Sequence, residues 1–169
     1  MNFKKINPED IEDNCFKLLE KDWMLITAGN LENFNTMTAS WGGFGVLWHK
    51  KVAFCVVRPT RYTYQLLEAN EYFTLSFFDE KYRDVLMFCG TQSGKNVDKI
   101  EATGLIPIAT PNESVYFMQS RLVMECRKLY YDDIKPANFC DARINDNYPA
   151  KDYHRLYIGE IVNCQMKND

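Results

Sequence analysis

Histidine is nearly absent from this chain. His49 and His154 are the only two, and neither has another histidine or a cysteine at ligand spacing, which argues against a metal site. The six cysteines, Cys15, Cys55, Cys89, Cys126, Cys140 and Cys164, make no CxxC pair. A zinc ribbon, an iron–sulfur run and a thioredoxin-like dithiol are therefore not expected. Most of them sit in apolar runs, as Cys55 does, so reduced buried thiols in a cytoplasmic protein are expected. No apolar run is long enough to span a bilayer, and the first twenty residues alternate charged with apolar residues rather than forming a secretion signal. There is no GxSxG and no Walker A loop, and Gly42-Gly43-Phe44-Gly45 has the wrong spacing for a dinucleotide fingerprint. With a net charge of −3 and no basic stripe interleaved with aromatics, neither nucleic acid nor an anionic membrane is an expected partner.

What is present is enough for one packed domain over residues 1–169: 46% hydrophobic and 14% aromatic, with no repeat and no low-complexity linker. Asn7, Pro8, Glu9 and Asp10 read as the capped start of a helix that carries Ile11, Cys15, Leu18 and Leu19 on one face. Residues 23–29 and 34–40 read as antiparallel strands joined by a turn at 29–33, and residues 52–57 as a strand buried on both faces. Pro59 ends that strand. A helix is predicted over 61–69, with Leu66 and Leu67 inward, and an alternating strand over 72–78. Helices follow over 80–89, stopped by Gly90, and over 96–103. Residues 115–130 read as a strand pair or one bent strand. Leu122, Met124 and Cys126 share one face there, with Arg121, Glu125 and Arg127 on the other, and a strand over 155–164 closes the sheet. Without regular βαβ alternation, the pattern predicts an antiparallel barrel decorated with helices rather than a doubly wound sheet.

Three segments could carry chemistry. Residues 35–48 are uncharged until His49, rich in hydroxyls, and then broken by Gly42, Gly43 and Gly45 among large aromatics. Glycine lets backbone approach a flat, partly polar ligand, and aromatics exclude water. Asn35, Thr36, Met37, Thr38, Ala39, Ser40 and Trp41 are the candidate residues beside such a ring; for each of the three tryptophans a plain core role is the alternative. In Arg58-Pro-Thr-Arg-Tyr-Thr63, Thr60 reads as an N-cap, placing Arg58 and Arg61 at the end of a helix where the dipole is already positive. An anion would resolve that conflict, held by helix N–H groups, the Thr60 and Thr63 hydroxyls and two guanidinium groups. The alternative is that both arginines pair with surface carboxylates. Residues 91–95, Thr-Gln-Ser-Gly-Lys, form a third and weaker anion loop, which an ordinary connection explains equally well. Nothing in the pattern makes His154 more than a surface residue. A flat ring joined to a phosphate is the shape of flavin mononucleotide (FMN).

Read together, residues 35–45, 58–63, 72–78, 89–99 and 153–161 resemble, in the same order, the flavin reductase-like, FMN-binding split-barrel family, and its flavoredoxin-like branch most of all. The resemblance implies a split β-barrel, antiparallel and Greek-key-like with short helices, a homodimer, and FMN near the subunit interface. It places 36–41 beside the ring and Arg58, Thr60, Arg61, Tyr62 and Thr63 on the phosphate side. It also implies that Ser76, Phe77 and Phe78, with Ser93, Gly94 and Lys95, complete the pocket. The implied activity is passage of hydride or electrons through FMN to a flavin or a redox-protein acceptor, with NAD(P)H a possible transient donor. The alternative is a non-catalytic flavin- or haem-binding module.

Overall fold

A computed structural model describes residues 3–168. Those residues form ten strands: β1 Phe3–Lys5, β2 Met24–Asn30, β3 Asn33–Ala39, β4 Gly42–Leu47, β5 Lys50–Val57, β6 Tyr72–Phe77, β7 Pro107–Ala109, β8 Val115–Phe117, β9 Leu122–Asp133 and β10 Arg155–Lys167. The main sheet runs β3-β2-β6-β9-β10-β5-β4, with β1 added to β10, and every pairing in it is antiparallel. It curls without closing, because β3 and β4 stay at its two edges. β7 and β8 form a separate small ribbon.

The sheet is held by apolar burial, which along β2 reaches both of its faces. β2 is buried over all but its last residue, and Leu75, Phe77, Leu122, Met124, Cys126 and Tyr157 lose essentially all solvent contact within one large cluster. Each large side chain of this kind contributes on the order of 2 kcal/mol when fully buried. A smaller cluster gathers Leu25, Phe78, Leu86, Cys89, Leu105 and Phe117 beneath the helices.

Among the described residues there are four α-helical segments: α1 Cys15–Lys17, α2 Tyr62–Ala69, α3 Arg83–Thr91 and α4 Lys99–Thr103. Two of them dock on the edge strand β3. Asn35 Nδ2 on β3 donates to Thr63 Oγ1 on α2 at 2.7 Å, and Thr38 Oγ1 donates to the Leu86 carbonyl of α3. These two ties leave a trough along β3, with α2 to one side and the 91–98 loop to the other.

Several expectations need correction. The opening is not one helix. Asn7 does make a capping box, but over a single 3-10 turn, Pro8–Asp10; the chain then extends before Asn14 caps a second start. Helix α2 begins one residue late, with Arg61 rather than Thr60 at its N-cap. Helix α3 runs through Gly90 to Thr91, where the Gln92 N–H on the Phe88 carbonyl completes its last turn. Residues 115–130 are neither a pair nor one bent strand, because β8 belongs to the small ribbon and β9 to the main sheet. Glu125 does not face water but is fully buried, accepting from Thr110 Oγ1. Phe54 in β5 is exposed, so that strand is not covered on both faces. Strand β10 does not close the sheet. The reading of residues 42–45 as a ledge for a ligand also fails. They form β4, where a Cβ on Gly42 would meet the Phe54 carbonyl at 2.4 Å and one on Gly43 the Phe54 ring at 2.5 Å. Two of those three glycines make room for the neighbouring strand.

Candidate functional site

The trough along β3 contains two clefts that share Met37 and Arg61. The first, about 220 Å³, is lined by the 37–41 run, Val56, Arg58, Arg61 and His154. The second, about 150 Å³, is lined by Asn35, Thr60, Arg61, Tyr62, Thr63, the 91–94 loop and Lys99. Together they fall within the usual size of a small-ligand site, roughly 300–1,000 Å³. The first is suited to a ring: Trp41 stands half-exposed at its rim, its ring centroid 5.2 Å from that of His154. The second is suited to an anion.

The hydroxyls of β3 mostly face the protein. Thr36 Oγ1 donates to the Ile26 carbonyl at 3.3 Å and lies 2.9 Å from Thr27 Oγ1, and Thr38 anchors α3. Donors left for a ring in the first cleft are therefore backbone groups, Ser40 and His154, rather than the threonine side chains. Asn35 is buried, and the loop lies so close to it that a Cβ on Gly94 would fall 2.0 Å from Asn35 Oδ1. This contact fixes Ser93 and Gly94 over the second cleft.

Arg58 behaves as the alternative reading foresaw. Nη1 donates to Asp152 Oδ1 at 2.6 Å, Nη2 donates to the Asn147 carbonyl at 2.8 Å, and the guanidinium lies over the Tyr148 ring. Arg61 is different. Half-buried at an uncapped helix start, it makes no ion pair among the described residues, and burial pushes its pKa down.

The residue that sequence reasoning missed is Lys99. It is 95% removed from solvent, and Nζ donates to the Thr36 carbonyl at 2.7 Å and to the Cys89 carbonyl at 2.8 Å. No carboxylate pairs with it among the described residues. The adjacent Asp98 is used instead as the N-cap of α4, accepting from the Ile100 and Glu101 N–H groups. Burial, with a smaller push from Arg61, lowers the Lys99 pKa to about 8. Two cations thus line one cleft without an acidic partner, which is costly unless an anion joins them. The signals for Lys99 in the sequence were its place at the end of the 89–99 block and one residue past a capping Asp.

Other named residues lie elsewhere. Ser76, Phe77 and Phe78 are packed into the core, Phe77 in the large cluster and Phe78 in the small one. Lys95 is exposed, with Nζ 5.7 Å from the Tyr62 ring centroid, and it faces an outer recess of about 590 Å³ on the far side of the Asn35–Gly94 contact. No group of three or more His, Cys, Asp or Glu among the described residues could hold a metal, and no described helix is long and apolar enough to cross a membrane.

The molecule is thus a split, all-antiparallel barrel with two joined clefts on its edge strand. The chain belongs to the family of flavin reductase like domains, whose pattern matches residues 17–169. No curated protein matches it. Among solved structures it is similar to the flavoredoxin of Desulfovibrio vulgaris (Miyazaki F), at TM-score 0.67 and 20% identity, covering 86% of this chain and 69% of that one. An FMN-binding domain of a flavin reductases-like enzyme from Shewanella baltica OS155 aligns at TM-score 0.70 and 15% identity, over 98% and 77%. A flavoredoxin from Methanosarcina acetivorans aligns at 0.67 and 18%, over 98% and 75%.

Proposed function

We propose that this chain binds FMN in the two joined clefts and works as an FMN-dependent redox protein. The observation that carries this reading is the half-buried Arg61 and the buried Lys99 lining one cleft with no carboxylate among its lining residues. The donor set fits a phosphate: a guanidinium, an ammonium, the Thr60 and Ser93 hydroxyls, and the uncapped start of α2. Bound there, the flavin supplies electron and hydride transfer that no side chain of this protein offers.

The protein's own contribution is positioning. Met37 and Arg61 join the clefts, so a ligand held by its phosphate is steered with its ring toward Trp41 and His154. Ala39, Val56 and Met37 supply an apolar floor, and Trp41 shields the rim. No acid–base pair of side chains stands in the first cleft, which suits transfer of electrons or hydride between flat partners better than hydrolysis. Within this reading the protein either oxidises NAD(P)H or takes electrons from a redox protein and passes them to a flavin or protein acceptor.

Purification provides the test. A yellow preparation, or saturable quenching of FMN fluorescence, is expected; colourless protein with no quenching at micromolar concentration overturns the reading. Addition of NADH and then NADPH separates the two versions, because bleaching by either supports the reductase and bleaching only by a reduced protein partner supports the carrier.

A homodimer is part of the same proposal. Val46, Leu47, Trp48 and Phe54 on the β4–β5 hairpin are exposed, and Trp48 packs on the equally exposed Tyr130. An apolar face of this kind favours a second copy. Light scattering at micromolar concentration should give twice the chain mass.

A further inference from the structure

Between β9 and β10 the chain leaves the sheet as a strap, residues 134–154, built on two 3-10 turns at Pro136–Asn138 and Ala142–Asn147. The Ile134 N–H on the His154 carbonyl closes its base at 2.9 Å. Most of the strap is exposed, but Tyr148 is buried, packed between Phe139 and Tyr153. Arg58, at the end of β5, is the latch: it grips Asp152 and the Asn147 carbonyl and covers the Tyr148 ring at 5.0 Å. The result is a Tyr148 hydroxyl held 2.9 Å from His154 Nδ1, in a histidine that lines the ring cleft.

We infer that Tyr148, latched by Arg58, is a positioning residue that fixes His154 in its Nε2–H tautomer and presents that N–H to the ring cleft. The phenolic proton has no other acceptor among the described residues, so the satisfied arrangement has Tyr148 donating to Nδ1. The one ring proton of a neutral imidazole then sits on Nε2, for which no partner is found among the described residues. A neutral donor at that position recognises an acceptor edge, such as a ring carbonyl or ring nitrogen, on a flat ligand.

The surroundings keep the ring neutral. Arg58 lies beside it and Arg61 lines the same cleft; Asp152, the nearest carboxylate, already accepts from Arg58. The Trp41 ring packs against the His154 ring at a tilt of 49°, and the Tyr148 ring meets it in a T-shaped contact at 5.5 Å. Burial and then Arg58 push its pKa down to about 4, so the donor persists unchanged across ordinary pH.

The ligand side of this inference rests on the flavin reading; the tautomer does not. With only two histidines, nitrogen NMR of ring-labelled apoprotein is assignable through the His49→Gln variant. Expected for His154 is a protonated Nε2, a bare Nδ1 and no titration between pH 8 and 5.5. A protonated Nδ1 in the wild-type protein overturns the inference, even where Tyr148→Phe fails to fold. In a folded Tyr148→Phe protein the ring should become a tautomer mixture with a raised pKa; an unchanged ring also overturns it. On adding riboflavin, the Nε2 signal should move, and affinity should be about fivefold weaker in Tyr148→Phe, the scale of one hydrogen bond. Bound riboflavin with a still Nε2 signal overturns the inference. Failure of both FMN and riboflavin to bind removes the flavin reading instead and leaves the tautomer decided by the apoprotein spectra.

Discussion

In the proposed site, Lys99 should make the affinity for FMN depend on pH, in a direction set by its burial. In the free protein its pKa is about 8, so at neutral pH the ammonium is present and ready for a phosphate. A phosphate beside it favours the charged form and returns the pKa toward 10.5, the ordinary lysine value. Above about pH 8, therefore, binding must take up a proton, and the dissociation constant rises by up to tenfold per pH unit. Between pH 7.5 and 9.5 the expected weakening is about 25-fold, from the fraction of free Lys99 that has lost its proton. Quenching of flavin fluorescence measures it directly. Riboflavin, which lacks the phosphate, is the internal control and should show no such slope. Lys99→Gln keeps two donors for the Thr36 and Cys89 carbonyls but removes the charge. It should abolish the FMN slope and weaken FMN at pH 7 by about tenfold to a hundredfold, the scale of a charge-assisted hydrogen bond. A flat FMN curve in the wild-type protein, or an equal slope for riboflavin, would refute the assignment of Lys99 to the phosphate.

Arg61→Ala should lower the ratio of FMN to riboflavin affinity by about tenfold, whereas Arg58→Ala should leave that ratio unchanged, since Arg58 is held by Asp152 and Asn147; an equal effect of the two, by the same titration, contradicts the division of labour. Gly94→Ala would place a Cβ 2.0 Å from Asn35 Oδ1, so the loop must lift or the Asn35–Thr63 bond must break; FMN affinity should fall about tenfold, and an unaltered value in the titration would show the loop to be irrelevant. For His154 the folded pKa lies below the unfolded value, so the unfolded chain binds more protons between about pH 6.5 and 4 and stability is lost as pH falls through that window. Urea unfolding at pH 7 and pH 5 should show a loss about 1–2 kcal/mol larger in the wild-type protein than in His154→Gln; equal losses would mean the ring is not held neutral.

The elements that were legible in the sequence are those where one signal dominates. Strand β6 shows its alternation plainly, and α2 shows Leu66 and Leu67 as an inward pair between Pro59 and Asn70. What could not be read was set by tertiary contact. Strand β4 has little side-chain pattern of its own, because Gly42 and Gly43 are shaped by Phe54 across the hairpin. Glu125 shares a strand face with Arg121 and Arg127 in the sequence pattern, and its burial shows only once Thr110, just after β7, supplies its partner. The family resemblance carried the fold, since five blocks in order determine a topology that local periodicity does not.

The site divided along the same line. A candidate place on β3 and α2 is legible in the sequence, because a helix start with two arginines is a local conflict of charge, and the two elements do meet in the fold. Which cations remain available could not, because that depends on where the carboxylates end up. Asp152 and Asp98 lie far apart in sequence and act in opposite senses: Asp152 takes Arg58 out of play, whereas Asp98, engaged as the cap of α4, leaves Lys99 without an ion pair. An anion site is defined as much by the acids that are engaged elsewhere as by the bases that face it. For that reason Arg61 and Lys99, rather than the two arginines of one short motif, carry the phosphate in this protein's proposed function.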